Sequence, residues 1–157
     1  MILNKQVGVF LNLVHNRFKQ YLTSIFRKQG YNISPEQFLV MDALWDNGVL
    51  TQQEIANYIL KDKNSVVKLI DGLEKRGLVK RVVNKQDRRQ NLIELSLDAM
   101  IIKKEVTETA LEAVNHIIKD IPQNELHTFI KVLNKMAENM SQDAKLLELI
   151  NSNNKTE

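Results

Sequence analysis

Residues 61–90 read KDKNSVVKLIDGLEKRGLVKRVVNKQDRRQ, and the fold turns on how this stretch changes period. Val66, Leu69, Ile70 and Leu73 recur at helical spacing, with Asp62 placed as an N-cap and the helix running to Arg76 before Gly77. From Leu78 the period becomes two: Val79, Arg81 and Val83 alternate with Leu78, Lys80 and Val82. A second strand follows over 91–95, joined by a polar, basic connection over 84–90 that is too long and charged for a tight two-residue turn. The stretch holds ten Lys/Arg against four Asp/Glu, a net of +6, whereas the whole chain carries only +3. A local positive field on an otherwise slightly acidic molecule suits a phosphate-backbone binder, because each neutralised phosphate releases condensed counterions.

The elements on the N-terminal side complete the motif. Thr51 and Glu54 form a capping box that opens a short helix to about residue 59, with Ile55, Ala56 and Ile59 inward. A three-residue turn at 60–62 then leads into the helix just described. Two short helices joined this way form a helix-turn-helix, and the hairpin after it makes a winged helix. Further upstream, Ser34, Pro35 and Gln37 start a helix whose buried face is Phe38, Met41, Leu44 and Trp45 and which stops at Asn47 and Gly48. The chain begins with a long helix over about 5–29, carrying Val7, Leu11, Val14, Phe18, Leu22 and Ile25 at steps of three or four, with Phe10, Tyr21 and Phe26 widening the stripe. One helix is expected over about 98–120, Pro122 breaks it, and another over 124–150 carries Leu126, Phe129, Leu133, Met136, Met140, Ala144, Leu147 and Ile150. Gly72 is out of place, since glycine inside a helix costs about 1 kcal/mol relative to alanine.

The expected fold is mainly α: a winged helix-turn-helix of about six helices plus a small β-hairpin wing. Residues 34–97 form the winged helix, 1–33 and 98–150 a helical dimerisation region, and 151–157 a disordered tail. The terminal helices, about 35–40 Å long at 1.5 Å per residue, outreach a module of sixty residues, so their apolar stripes call for a second copy of the chain.

Composition narrows the class. No cysteine is present, which removes disulfides and thiolate metal sites and fits a reducing cytoplasm. No apolar run approaches the roughly 18 residues of a membrane span, and the first residues lack a signal-peptide pattern. No Gly-rich phosphate loop, HExxH or nucleophile elbow occurs, so an enzyme is not expected and no cofactor is called for.

In a helix-turn-helix the first turns of the second helix face base edges. Here they present Lys63, Asn64, Ser65, Val67 and Lys68, of which lysine can reach guanine, asparagine can pair with adenine and valine can touch a thymine methyl. Asn64 and Ser65 read equally well as ordinary early-helix polar residues. On the wing, Lys85, Asp87, Arg88 and Arg89 form the second contact group: a guanidinium can enter the narrow minor groove, and a neighbouring carboxylate can orient it.

LEKRGLVKR followed by DRRQNLIELS resembles the signature of the MarR (multiple antibiotic resistance regulator) family of bacterial winged-helix repressors. Asp87 and Arg89 fall on the family's D-x-R pair, and Leu73, Glu74, Gly77, Leu78, Val79 and Arg81 on its helix exit. Leu95 and Ser96 stand in place of the usual L-T, Ala99 where glycine is frequent, and Gly72 at a position commonly basic. The resemblance implies a homodimer on a pseudo-palindromic operator in double-stranded DNA, with recognition helix in the major groove and wing in the minor groove. It further implies repression, and release by a small aromatic or anionic effector held between the dimerisation helices and the winged helix. His15, Arg17, Tyr21 and Trp45 are the candidate lining. Two other readings stay open: a winged helix serving as a protein-interaction module, and a metal-responsive regulator using His116 and His127 with Glu112 and Glu125, whose spacing matches no standard ligand motif.

Overall fold

Side-chain caps decide where the helices begin. The Ser34 hydroxyl accepts the Gln37 N–H at 3.1 Å while the Gln37 side chain accepts the Ser34 N–H at 3.0 Å. Thr51 and Glu54 repeat the exchange at 3.2 and 2.7 Å. Asp62 accepts the Ser65 N–H at 2.9 Å, and Ser96 that of Ala99 at 3.1 Å. Each such cap contributes about 1 kcal/mol. The computed structural model describes residues 2–140. Within them lie seven helices and three strands: α1 (Ile2–Lys28), α2 (Pro35–Asn47), β1 (Leu50–Thr51), α3 (Gln52–Tyr58), α4 (Lys63–Lys75), β2 (Val79–Val83), β3 (Asn91–Leu95), α5 (Leu97–Ile101), α6 (Lys103–Ile117) and α7 (Gln123–Met140). The expected helix end with Ala144, Leu147 and Ile150, and the tail 151–157, lie outside the described residues.

The chain divides into two units, residues 1–115 and 116–157. In the first, one core gathers Phe26 from α1, Met41 and Leu44 from α2, Ile55 from α3, Val66, Ile70 and Leu73 from α4, and Ile93 from β3. It also takes in Val106, Ala110 and Ala113 of α6, so the buried set reaches past residues 34–97 on both sides. Phe26, Phe38 and Trp45 form a ring series with centroids 5.6 and 6.2 Å apart, and the Trp45 indole N–H donates to the Ala99 carbonyl at 3.2 Å. In the second unit, α7 buries none of its side chains, and Phe129, Ile130, Val132 and Met140 are exposed.

Helix α4 ends in a Schellman turn. Gly77 adopts φ +69°, the Gly77 N–H donates to the Glu74 carbonyl at 2.9 Å, and the Leu78 N–H to the Leu73 carbonyl at 3.0 Å. That turn launches β2, which pairs antiparallel with β3 in register Val79↔Leu95 to Val83↔Asn91. The α3–α4 turn uses the same device with a leucine: Leu60 sits at φ +54° and the Lys61 N–H reaches the Ala56 carbonyl at 3.0 Å.

Three features depart from the sequence expectation. A third strand exists: β1 pairs with β3 through Leu50↔Ile93 and Thr51↔Leu92, giving the order β1-β3-β2. Two residues are too few to show a period. The helix expected over 98–120 is two helices, α5 and α6, divided at Ile102 (φ −80°, ψ −6°), where neither proline nor glycine marks a break. The stripe of α1 is mostly not core: of its expected residues only Leu22 and Phe26 are buried, Tyr21 and Ile25 partly so, and residues 3–20 are all exposed.

Gly72 has a steric explanation. A Cβ there would lie 2.5 Å from Nε2 of Gln37. That nitrogen donates to the Leu69 carbonyl at 3.4 Å, so the buried Gln37 amide bridges the start of α2 to the middle of α4.

Candidate nucleic-acid interface

The ten cations of 61–90 divide into those that hold the structure and those left to solvent. Arg81 belongs to the first kind. Its guanidinium spans two carboxylates of α4: Nη2 lies 2.5 Å from Asp71 Oδ1, and Nη1 bonds Glu74 Oε2. Its backbone N–H donates to the other Glu74 oxygen at 3.1 Å. The first strand of the wing is thereby tied to α4, and two of the stretch's four acids are paired internally with one cation. Lys80 pairs with Glu94, its cross-strand partner, at 3.4 Å. Arg76 bonds neutral oxygens only.

Lys61, Lys63, Lys68, Lys75, Lys85, Arg88 and Arg89 are exposed, and none has an ion pair among the described residues. Along α4, Lys63, Asn64 and Lys68 point to solvent, while Val67 is half-covered. Ser65 is engaged: its hydroxyl donates to Asp62 Oδ2 at 2.5 Å. The hydroxyl and N–H of Ser65 together hold the Asp62 carboxyl below the usual aspartate range.

The wing tip is built by two side chains. Asn84 Oδ1 accepts the Gln86 and Asp87 N–H groups at 3.0 and 3.3 Å. Asp87 accepts the Arg89 N–H at 3.0 Å and the Gln90 amide at 3.1 Å. The Asp87 carboxylate therefore orients the backbone beneath Arg89, not its guanidinium as the sequence suggested. Arg88 and Arg89 extend from a folded turn.

The four residues named for an effector are not gathered. Trp45 belongs to the core, and Tyr21 is half-buried against it. His15 and Arg17 are exposed on α1 and, two residues apart, project about 200° from each other around the helix. Among the described residues no three His, Cys, Asp or Glu side chains lie close enough to hold a metal ion, and no helix is long and apolar enough to cross a membrane. His127 Nδ1 lies 2.8 Å from the Gln123 carbonyl of its own helix.

The MarR family profile matches residues 33–90, the span from the α2 cap to the wing tip. Over that span the chain is similar to the MarR family. The curated relatives it matches are transcriptional regulators. The HTH-type transcriptional regulator MgrA of Staphylococcus aureus is 26% identical over 121 residues, covering 77% of this chain and 78% of that protein. Solved structures share the fold. BpsR of Bordetella bronchiseptica, whose DNA binding is regulated by 6-hydroxynicotinic acid, matches with a TM-score of 0.75 at 23% identity, over 84% of this chain and 93% of that one. A mutant MarR of Escherichia coli complexed with operator DNA matches at 0.75 and 20% identity, over 83% and 92%.

Sequence reasoning missed the role of Arg81. Its partners precede it by ten and seven residues on another element, and only the mixed charges of α4 hinted at them. Arg81→Ala is expected to lower stability by roughly 1–2 kcal/mol, since a bidentate guanidinium exceeds a simple surface pair and its loss leaves two carboxylates facing each other. Urea denaturation measures this.

Proposed function

We propose that the chain is a homodimeric repressor that binds a pseudo-palindromic operator, with α4 in the major groove and the wing in the minor groove. The observation that carries this reading is the set of exposed, unpaired cations on two neighbouring projections, Lys63 and Lys68 on α4 and Lys85, Arg88 and Arg89 on the wing. The acids that would oppose them, Asp71 and Glu74, are both engaged by Arg81, which offsets half of their charge. Asn64, Val67 and Ser65 complete the base-facing set, with Ser65 acting chiefly through the Asp62 cap, and Asp87 shapes the turn that presents Arg89. The operator complex of the Escherichia coli MarR mutant, which shares this fold, supports operator DNA as the partner.

The dimer rests on α1. Leu3, Val7, Phe10, Leu11, Val14 and Phe18 make a continuous exposed apolar stripe, between 37% and 70% exposed, on a helix of 27 residues. A contiguous apolar patch of this kind on a regulator marks an interaction site, and a twofold partner brings a second α4 to the next major groove. Residues 34–97 then serve as the DNA-reading part and the flanking helices as the dimerisation part. Release by a small aromatic or anionic effector belongs to the same proposal, supported by the likeness to BpsR. In it Tyr21 and Trp45 contribute packing at the α1–α2 junction, while His15 and Arg17 lie on different sides of the exposed part of α1. Such a regulator acts in the cytoplasm.

Gel-shift titration of two variants tests the DNA reading. Arg89→Ala is expected to weaken binding while leaving the melting temperature nearly unchanged. Lys68→Ala is expected to cost roughly 1–3 kcal/mol and to relax preference at one operator position. Unchanged binding by both variants would remove the interface assigned here.

A further inference from the structure

We infer that Arg76 is an additional phosphate-binding residue of this interface, its guanidinium held over the bare backbone of Gly72. The inference rests on the DNA-binding reading above and concerns a residue outside the two groups of cations named there.

Asn64, Lys68, Gly72 and Arg76 follow one another at steps of four, so they form one line along α4 and its cap, each about 6 Å from the next. Asn64 and Lys68 are exposed members of that line. Gly72 leaves a gap in it, and Arg76 fills the gap by folding back. Its Nη1 donates to the Gly72 carbonyl at 2.8 Å and to Gln37 Oε1 at 3.3 Å, and a Cβ on residue 72 would lie 3.4 Å from that nitrogen. The guanidinium is thus drawn one turn back along the line, towards Lys68.

Two features separate Arg76 from an ordinary surface arginine. Both of its acceptors are neutral, so its charge is uncompensated, whereas Arg81 has two carboxylates on it. Only Nη1 is engaged: Nε and Nη2 make no hydrogen bond among the described residues, and the side chain is exposed. A guanidinium already fixed through one nitrogen, with a free donor edge, meets a phosphate with less loss of rotamer freedom than a mobile one. That edge suits two phosphate oxygens at once. Gln37 is the positioning residue, because its amide is itself pinned by the Ser34 cap and the Leu69 carbonyl.

The bland account is a helix-ending arginine that bonds a last-turn carbonyl and nothing more. Full-length Arg76→Ala, Arg76→Lys and Gly72→Ala are titrated against a random-sequence duplex pool and against the duplex selected from it by the wild-type chain, at several salt concentrations. Arg76→Ala is expected to weaken both by about tenfold and to flatten the log–log salt slope by about one for each arginine removed. Arg76→Lys should keep part of the affinity. Gly72→Ala, which drives a methyl into the Gln37 amide, should lose affinity equally on both DNAs. A fall in melting temperature with affinity and slope unchanged would make Arg76 a cap and overturn the inference. Lys68→Ala and Arg89→Ala run in parallel keep the two levels apart: loss in those variants without loss at Arg76 rejects the inference alone, and loss in none rejects the DNA reading beneath it.

Discussion

Replacing Phe10 and Val14 together by aspartate is expected to convert the protein from a dimer into a folded monomer. Both side chains lie on the exposed stripe of α1, at 58% and 60% exposure, away from Leu22 and Phe26, which anchor the helix to the core. The monomer's buried core is therefore left intact. In a twofold interface each substitution appears twice, so four apolar groups become four carboxylates in a site that excludes water. At roughly 1.5–3 kcal/mol for each large side chain no longer buried, the dimer loses on the order of 6 kcal/mol or more before the cost of desolvating the charges is added. DNA affinity should fall with it, because a single α4 and wing engage only half of a palindromic site. Sedimentation velocity with circular dichroism reads both halves of the expectation. A dimer of undiminished stability would show that α1 is not the interface.

Phe26→Ala is expected to have the largest effect on folding of any single substitution discussed, about 3–5 kcal/mol. Phe26 is wholly buried, and its ring contacts Phe38, which in turn meets Trp45 edge-on. It joins the buried end of α1 to α2. Truncation leaves a cavity between two helices that cannot close without shifting the α1–α2 loop, where the Tyr31 N–H bonds the Phe26 carbonyl at 2.8 Å. Against a total stability of about 5–15 kcal/mol this is a large share, visible as a lower urea midpoint. A loss below about 1 kcal/mol would mean that α1 is not part of the core at all.

What could be read from the sequence was what local chemistry encodes. The caps at Ser34, Thr51 and Asp62 each involve a partner three residues away, and the exit at Gly77 needs one left-handed residue, so all four were legible. The change of period at Leu78 announced β2. What was hidden depended on partners far along the chain or on elements too short to have a period. Gly72 was visible as an anomaly, yet its cause, the Gln37 amide, lies 35 positions upstream on another helix. Arg81 looked like one more cation in a basic stretch until Asp71 and Glu74 were found on it. The stripe of α1 was legible as apolar, but only the fold showed that its residues up to position 20 stay exposed.

The central claim is that two copies of this chain read duplex DNA through α4 and the wing. Selection of the full-length protein against a random duplex pool, followed by sedimentation of the complex at several salt concentrations, tests it most directly. The account predicts enrichment of an inverted repeat with half-sites centred about one helical turn apart, two chains bound per site, and a steep loss of affinity with salt. Absence of any enriched sequence, or one chain per duplex with affinity indifferent to salt, would contradict it.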